Sequence, residues 1–170
     1  MEIVIAGNNN LIEITYLIYE LTHFSSNSKG NHIFCNSNKY PSIDELKTEI
    51  NNKNVFILKD KRSCIAIIIL NSKMEIVGKN VNWQNLDEKN FLAISHILIH
   101  PYMQNKGLEK KLLDFAIDKA KELKCMSIRM KINGHNKQCI DICVNTGFIK
   151  TGECFYSNQE ISFLYFEKII

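Results

Sequence analysis

The sequence predicts one α/β domain over residues 1–170, with a single mixed sheet covered by helices on both faces. Short apolar runs typical of buried strands alternate with longer stretches in which apolar residues recur every three or four positions. The chain has 170 residues and a hydrophobic share of 45%. A chain of this length buries about 70% of its unfolded surface on folding, which is enough for one core.

The first half of the chain is expected to contain three strands and two helices. A strand over Glu2–Ala6 precedes a helix from Leu11 to about His23, and residues 25–39 are polar and predict a mobile connection. Ser42, followed three residues later by Glu45, has the spacing of a capping box and predicts a second helix ending near Asn51. Two apolar runs around a polar turn predict a hairpin, and its strands are Val55–Lys59 and Cys64–Leu70.

The second half of the chain carries the stronger patterns. After a polar, irregular stretch over residues 72–90, four strands and two helices are expected. The strands are Phe91–Ile99, Met126–Met130, Phe148–Phe155 and Ile161–Glu167, and the helices are Gly107–Lys124 and Asn136–Asn145.

Composition excludes several classes of protein. The 21 basic and 18 acidic residues are interspersed, so no basic stripe indicates a nucleic-acid partner. No apolar run approaches the ~20 residues of a membrane span, and no signal peptide is expected, because the first residues predict a strand. The scattered cysteines favour reduced thiols in a cytoplasmic protein. They are Cys35, Cys64, Cys125, Cys139, Cys143 and Cys154.

The junction between the central strand and the long helix is the candidate ligand site. The apolar run Ile94–Ile99 ends at His100-Pro101, and a polar loop then leads through Gly107 into the helix. The free N–H groups and the positive dipole end of a first helical turn favour a phosphate. The pattern therefore predicts a phosphorylated ligand at Asn105–Lys110.

Two motifs in this half resemble those of the GNAT acetyltransferases. QNKGLEKKLLDFAIDKAKEL, preceded by ILIHP, resembles the acetyl-CoA motif Q/R-x-x-G-x-G/A at a loop-to-helix junction. NGHNKQCIDICVNTGFIKTGE resembles the second motif of the family, an asparagine-headed helix followed by a glycine and an aromatic residue. The resemblance covers Phe91–Glu153.

The resemblance implies a mostly antiparallel sheet of about seven strands, in which residues 91–155 bind acetyl-CoA and residues 1–90 cover the acceptor side. It implies direct acetyl transfer to a primary amine in a ternary complex, without a metal. A small-molecule acceptor is favoured over a protein, and a homodimer is allowed. Backbone N–H groups after a bulge in the central strand would hold the cofactor arm. The implied cofactor-binding residues are Leu98, Ile99, Gln104, Asn105, Lys106, Gly107, Leu108, Glu109, Lys110 and Asn136.

Three positions depart from the family pattern. Glu109 stands where the motif has Gly or Ala, and its carboxylate should repel a pyrophosphate unless Lys106, Lys110 and Lys111 offset it or the side chain bends into solvent. Cys143 stands where a tyrosine often protonates the leaving thiolate, so it is a candidate acid as well as a candidate core residue. No carboxylate lies on the central strand, which leaves His96 as the candidate base there.

Several alternatives stay open. Asn136 suits both a cofactor contact and a helix N-cap. The spacing of His135, Cys139 and Cys143 fits one face of a zinc site, although no fourth ligand is evident. Phe34, Tyr40 and Trp83 are candidate walls for an acceptor pocket, or else anchors for loops, a role favoured for Trp83. A CoA-binding regulatory module with little activity is the alternative function, and a fold-related protein without CoA affinity is a third.

Overall fold

Seven strands of the chain pair into one sheet in the computed structural model, which describes residues 1–27, 40–61, 63–76, 81–87, 89–155 and 162–170. Strands β4 and β5 pair in parallel, and all other neighbours are antiparallel, in the order β1-β2-β3-β4-β5-β7-β6. The predicted mixed, mostly antiparallel sheet is confirmed. The strands are β1 (Glu2–Ile5), β2 (Val55–Asp60), β3 (Ser63–Asn71), β4 (Phe91–Ile99), β5 (Ser127–Asn133), β6 (Ile149–Phe155) and β7 (Ser162–Ile169).

In the described part of the chain, four α-helices connect these strands. Their bounds are α1 (Leu11–Asn27), α2 (Ile43–Asn51), α3 (Leu108–Glu122) and α4 (Lys137–Asn145). Among the described residues, no helix is both long and apolar enough to cross a membrane. The predicted capping box starts α2, because Glu45 N donates to Ser42 Oγ at 3.2 Å and Ser42 N donates to Glu45 Oε2 at 2.7 Å.

Two predicted bounds were wrong by several residues. Helix α1 continues to Asn27, so the first three residues of the predicted connection are helical, and residues 28–39 lie outside the described part of the chain. The polar end of this helix offers no apolar periodicity to extend the prediction. Strand β5 runs three residues past Met130. An apolar pattern does not reveal this extension, because its first residue, Lys131, is charged and is buried in an ion pair.

The helices bury both faces of the sheet, as predicted. Leu17 and Leu21 of α1 and Leu46 of α2 pack with Ile67 and Leu98 on one face. On the other face, α3 and α4 share one apolar cluster with the strands. Its helical members are Leu108, Leu112, Leu113, Ala116, Ala120, Cys139 and Cys143. We call the two sides the α1/α2 face and the α3/α4 face.

A buried ion pair fastens the segment before β4 to the sheet. Arg129 of β5 donates from Nε to Glu167 Oε1 of β7 at 3.0 Å, and both side chains are at most 2% exposed. The Arg129 guanidinium also lies 4.4 Å from the ring centroids of both Trp83 and Phe91. The second Glu167 oxygen accepts from the backbone N–H of Gln84 at 2.6 Å. Trp83 is therefore a loop anchor.

Loss of one partner of this pair should be costly. Arg129→Met leaves the Glu167 carboxylate buried without its cation, so we expect the free energy of unfolding to fall by about 3–5 kcal/mol in urea denaturation. The matched control is Lys150→Met, which breaks an exposed ion pair with Glu153 and should cost less than about 1 kcal/mol. Equal losses in the two variants would contradict the role given to the buried pair.

Candidate functional site

The central strand carries one extra residue. Ile69 of β3 is opposite His96, but its neighbour Leu70 is opposite Ile94, so Ser95 has no partner in β3. The bulge shifts the alternation of side chains, because Ile94 and Ile97 both pack on the α3/α4 face and Leu98 packs on the α1/α2 face. A bulge in this strand is the feature that the family resemblance implied.

The parallel ladder between β4 and β5 ends at the bulge. The two strands pair from Phe91 opposite Ser127 to Ile94 opposite Met130, and no further. Strand β5 nevertheless continues to Asn133 in register with β7. The β4 backbone beyond Ile94 therefore has no strand partner on its β5 side, and we call this opening the fork.

The register shows which backbone groups of β4 face the fork. His100 N donates to Ile65 O of β3 at 2.9 Å. Alternate residues of an antiparallel strand face the same neighbour, so His96 and Leu98 also face β3, and Ile97 and Ile99 face the fork. Consistently, the side chain of Gln104 reaches the Ile99 carbonyl at 3.1 Å. Ile97 is a fork residue that the sequence did not indicate, whereas the backbone of the predicted Leu98 points toward β3.

The loop before α3 presents an open helix N-terminus. Asn105 and Gly107 have positive φ angles of 58° and 76°. Gly107 is the N-cap of α3 and has no side chain with which to cap the helix. A Cβ at Gly107 would meet no heavy atom within 4 Å. The N–H groups of the first turn, which begins at Leu108, thus face a space suited to an anion.

Glu109 lies beneath this loop. Its side chain is buried, at 6% exposure, and Asn105 N lies 3.5 Å from Glu109 Oε1. Of the two ways of relieving the repulsion, the bending of this side chain into solvent does not occur. Lys110 is paired with Asp114 at 2.6 Å. Lys111 Nζ lies 3.4 Å from the Met1 carbonyl oxygen.

Exposed Lys106 is the remaining lysine that was expected to offset the carboxylate. Its ammonium has a contact of 3.8 Å with Met103 Sδ and no salt bridge among the described residues. Lys106 is therefore available to a bound anion, while the charge of Lys110 is already shared with Asp114. The repulsion expected between Glu109 and an anion at the loop is only partly offset.

The start of α4 is connected to the same loop. Gln138 Nε2 donates to Asn105 Oδ1 at 2.6 Å. Asn136 is the N-cap of α4, and its Oδ1 accepts from Cys139 N at 3.1 Å. The capping role of Asn136 is thus present, and its cofactor contact stays a prediction. Gln138 was not predicted, because an exposed glutamine on a helix gives no signal in a single sequence.

Cys143 lies in the apolar layer beneath α4. Its side chain is 0% exposed, and its Sγ is 3.5 Å from Met130 Sδ of β5. The side-chain hydrogen bond with Cys139, followed by burial, raises the pKa of the Cys143 thiol far above its usual value. A weaker and inaccessible acid gives the proposed proton transfer no support, and the surroundings favour the packing role.

His96 projects from β4 on the α1/α2 face. Hydrogen bonds from Ser42, together with the charge of His96, hold the pKa of the Glu45 carboxyl below its usual value, which places Glu45 near His96. Next to His96, Ser95 Oγ accepts from Asn71 Nδ2 at 2.6 Å.

The remaining candidates are not gathered at the fork. Tyr40 packs at the edge of the α1/α2 cluster, and Phe34 lies outside the described residues. His135 is exposed before the start of α4, whereas Cys139 and Cys143 are buried. The part of the chain that the structure describes holds no group of three or more His, Cys, Asp or Glu side chains placed to bind a metal.

Comparison with known proteins gives one family. The acetyltransferase (GNAT) family matches residues 21–148. No curated protein sequence matches at a significant level. An acetyltransferase of the GNAT family from Listeria monocytogenes superposes with a TM-score of 0.75 at 15% identity, over 99% of this chain and 94% of that chain.

Two further solved structures show the same fold. The protein yncA from Salmonella typhimurium, solved with its cofactor acetyl-CoA, has a TM-score of 0.70 at 16% identity, over 99% of this chain and 92% of that chain. A ribosomal-protein-alanine N-acetyltransferase from Brucella melitensis has a TM-score of 0.72 at 14% identity, over 100% of both chains.

The burial of Cys143 predicts its reactivity. A thiol with a raised pKa and no exposure stays protonated and shielded, so at pH 8 we expect iodoacetamide to leave Cys143 unlabelled in the folded protein. Cys125, which is only partly buried, is the internal control and should be labelled first. Peptide mass spectrometry separates the two sites, and both should react in urea. Rapid labelling of native Cys143 would show an accessible thiol and contradict this placement.

Proposed function

Because the chain belongs to the GNAT acetyltransferase family, we propose that it transfers an acetyl group from acetyl-CoA to a primary amine by direct transfer in a ternary complex. The observation that carries the proposal is the fork, where β4 loses its β5 partner at the Ser95 bulge, next to the uncapped N-terminus of α3. The fork offers the backbone of Ile97 and Ile99, which has no strand partner on its β5 side, and the helix N-terminus offers N–H groups for phosphate.

Acetyl-CoA has chemistry that fits both parts. Its pyrophosphate would be held at Gln104–Lys110, where positive φ angles at Asn105 and Gly107 turn the loop around an open space. Its pantetheine arm carries amides that can bind the fork-facing backbone of Ile97 and Ile99. A backbone N–H there would also polarise the acyl carbonyl. Asn136 completes the proposed cofactor contacts, and Leu98 is left out because its backbone faces β3.

The residues on the α1/α2 face suit the amine half of the reaction. A primary amine is protonated near neutral pH and must lose a proton before its nitrogen attacks the thioester carbon. His96 can accept that proton, and Glu45 nearby favours the positive charge that results. A C–N bond then forms and the C–S bond breaks. The departing thiolate takes a proton from water, since Cys143 is buried.

The acceptor is proposed to be a small molecule with a primary amine. Residues 91–155 would bind acetyl-CoA, and residues 1–90 would cover the acceptor side, where Tyr40 borders the α1/α2 cluster. A catalytically weak CoA-binding module of the same family is the second candidate function. Two observations favour it, namely the buried carboxylate of Glu109 beneath the phosphate loop and the buried thiol of Cys143.

A calorimetric titration with acetyl-CoA, followed by a CoA-release assay over a panel of primary amines, tests the proposal. We expect saturable 1:1 binding and amine-dependent release of CoA for at least one acceptor. Reactions without amine are the control, because the cysteines of the chain also react with thiol reagents. Binding without release for any amine would favour the regulatory module, and absence of binding would contradict both functions.

The next prediction concerns Gly107, the glycine of the loop before α3, and the affinity for acetyl-CoA. Gly107→Val places a β-branched residue at φ 76° and adds bulk toward the bound phosphate, so the affinity for acetyl-CoA should fall more than about tenfold, or ~1.4 kcal/mol. Gly107→Asn is the matched control, since asparagine tolerates this conformation and should lose less affinity. Parental affinity in a folded Gly107→Val variant would exclude the loop as the phosphate site.

The base prediction concerns turnover. His96→Ala should lower kcat by about 10²-fold or more, leave the affinity for acetyl-CoA nearly unchanged, and flatten the acidic limb of the pH–rate profile. His100→Ala is the matched control, because this histidine directly follows the same strand and its ring contacts Tyr102. If both variants keep the parental rate from pH 6 to 8, His96 is not the base.

A further inference from the structure

We propose that the chain has a second ligand site, a groove beside the C-terminal end of α3 that binds an apolar carboxylate. The groove encloses about 760 Å³, within the range of about 300–1,000 Å³ typical of small-molecule sites. Its lining on α3 begins at Phe115, about 10 Å along the helix from Leu108, and includes none of the residues Gln104–Lys110. The far groove, as we call it, is therefore distinct from the proposed acetyl-CoA site.

The floor of the far groove is apolar and partly aromatic. Phe56 of β2 and Phe115 of α3 meet edge to face, with ring centroids 5.0 Å apart. Leu70 and Leu92 line the floor between the helix and the sheet. Ile5 of the edge strand β1 lines one side and is 49% exposed. A ligand that covers these groups removes apolar surface from water, which supplies the affinity.

The charge of the lining selects an anion. The lining includes Lys53, Lys89 and Lys119 and contains no carboxylate. Lys119 lies 5.7 Å from the Phe56 ring centroid but is already paired with Glu122 at 2.7 Å. Among the described residues, Lys53 and Lys89 make no salt bridge. Two lysine ammonium groups are thus available to a ligand.

Among the described residues, two further carboxylates besides Glu122 lie near this rim, and both are outside the lining. Asp87 Oδ1 accepts from the backbone N–H of Lys89 at 2.9 Å, and Glu49 accepts from the Asn54 amide at 2.5 Å. Both leave the side-chain ammonium groups of the two lysines uncompensated. The two lysine ammonium groups are exposed to solvent. Their charge therefore contributes more to selectivity for an anion than to overall affinity. An apolar body with one carboxylate matches this combination.

Calorimetry with 4-phenylbutyrate tests the proposal on the intact chain. The neutral isostere 4-phenylbutyramide shares the apolar body, so the acid should bind in a saturable 1:1 manner and at least fivefold more tightly than the amide. Saturating acetyl-CoA should leave this binding unchanged. Equal affinity of acid and amide, displacement by acetyl-CoA, or no saturable binding at millimolar ligand would each overturn the proposal.

Variants locate the binding. Lys53→Gln with Lys89→Gln should weaken binding of the acid at least fivefold and leave the amide unaffected. The matched double variant, Lys47→Gln with Lys121→Gln, removes the same charge from exposed lysines outside the groove and should bind like the parent. Ile5→Glu places a carboxylate at an exposed position of the lining and should abolish binding. Unchanged binding by Ile5→Glu, or an equal loss in both double variants, would refute the site.

Discussion

The extra residue Ser95 in β4 is the constraint on which the candidate site depends. Neighbouring strands lie about 4.8 Å apart and share their hydrogen bonds, so an unbroken interior strand leaves no backbone group for a ligand. The bulge ends the pairing of β4 with β5 after Ile94, and it leaves the backbone of Ile97 and Ile99 facing an opening. The same shift turns His96 toward the α1/α2 face, where Glu45 lies nearby.

An opening inside a sheet requires its closed end to be held firmly. Arg129 lies opposite Ala93 in the last paired stretch of β4 and β5, and its ion pair with Glu167 ties β5 to β7. The ring centroids of Trp83 and Phe91 each lie 4.4 Å from the Arg129 guanidinium, and the two rings help to enclose it. The buried charges sit where the ladder is still intact, and the backbone without a partner begins a few residues later. The sheet is thus rigid on one side of the bulge and open on the other.

Local patterns sufficed to predict the elements and the loop before α3, because apolar periodicity, the capping box and Gly107 act over a few residues. The fork-facing role of Ile97 depends on a bulge whose position is set by pairing with β3, so it could not be found from β4 alone. Burial of the charged Lys131 was hidden for a related reason. A buried charge is tolerated when a residue far away in the sequence supplies a partner. Glu75, whose carboxylate lies 3.2 Å from Lys131 Nζ, is such a partner, and a local sequence pattern does not contain it.

Glu109 has two opposite effects on the proposed phosphate loop. A carboxylate near a phosphate costs about 1 kcal/mol at 4 Å in water, and more where the protein shields the pair. The same carboxylate faces the backbone N–H of Asn105 from beneath the loop, and Gln138 holds the Asn105 side chain from α4. A loop that is ordered before the ligand arrives loses less entropy on binding. Preorganisation of a residue with positive φ would therefore offset part of the repulsion that Glu109 exerts on the proposed phosphate.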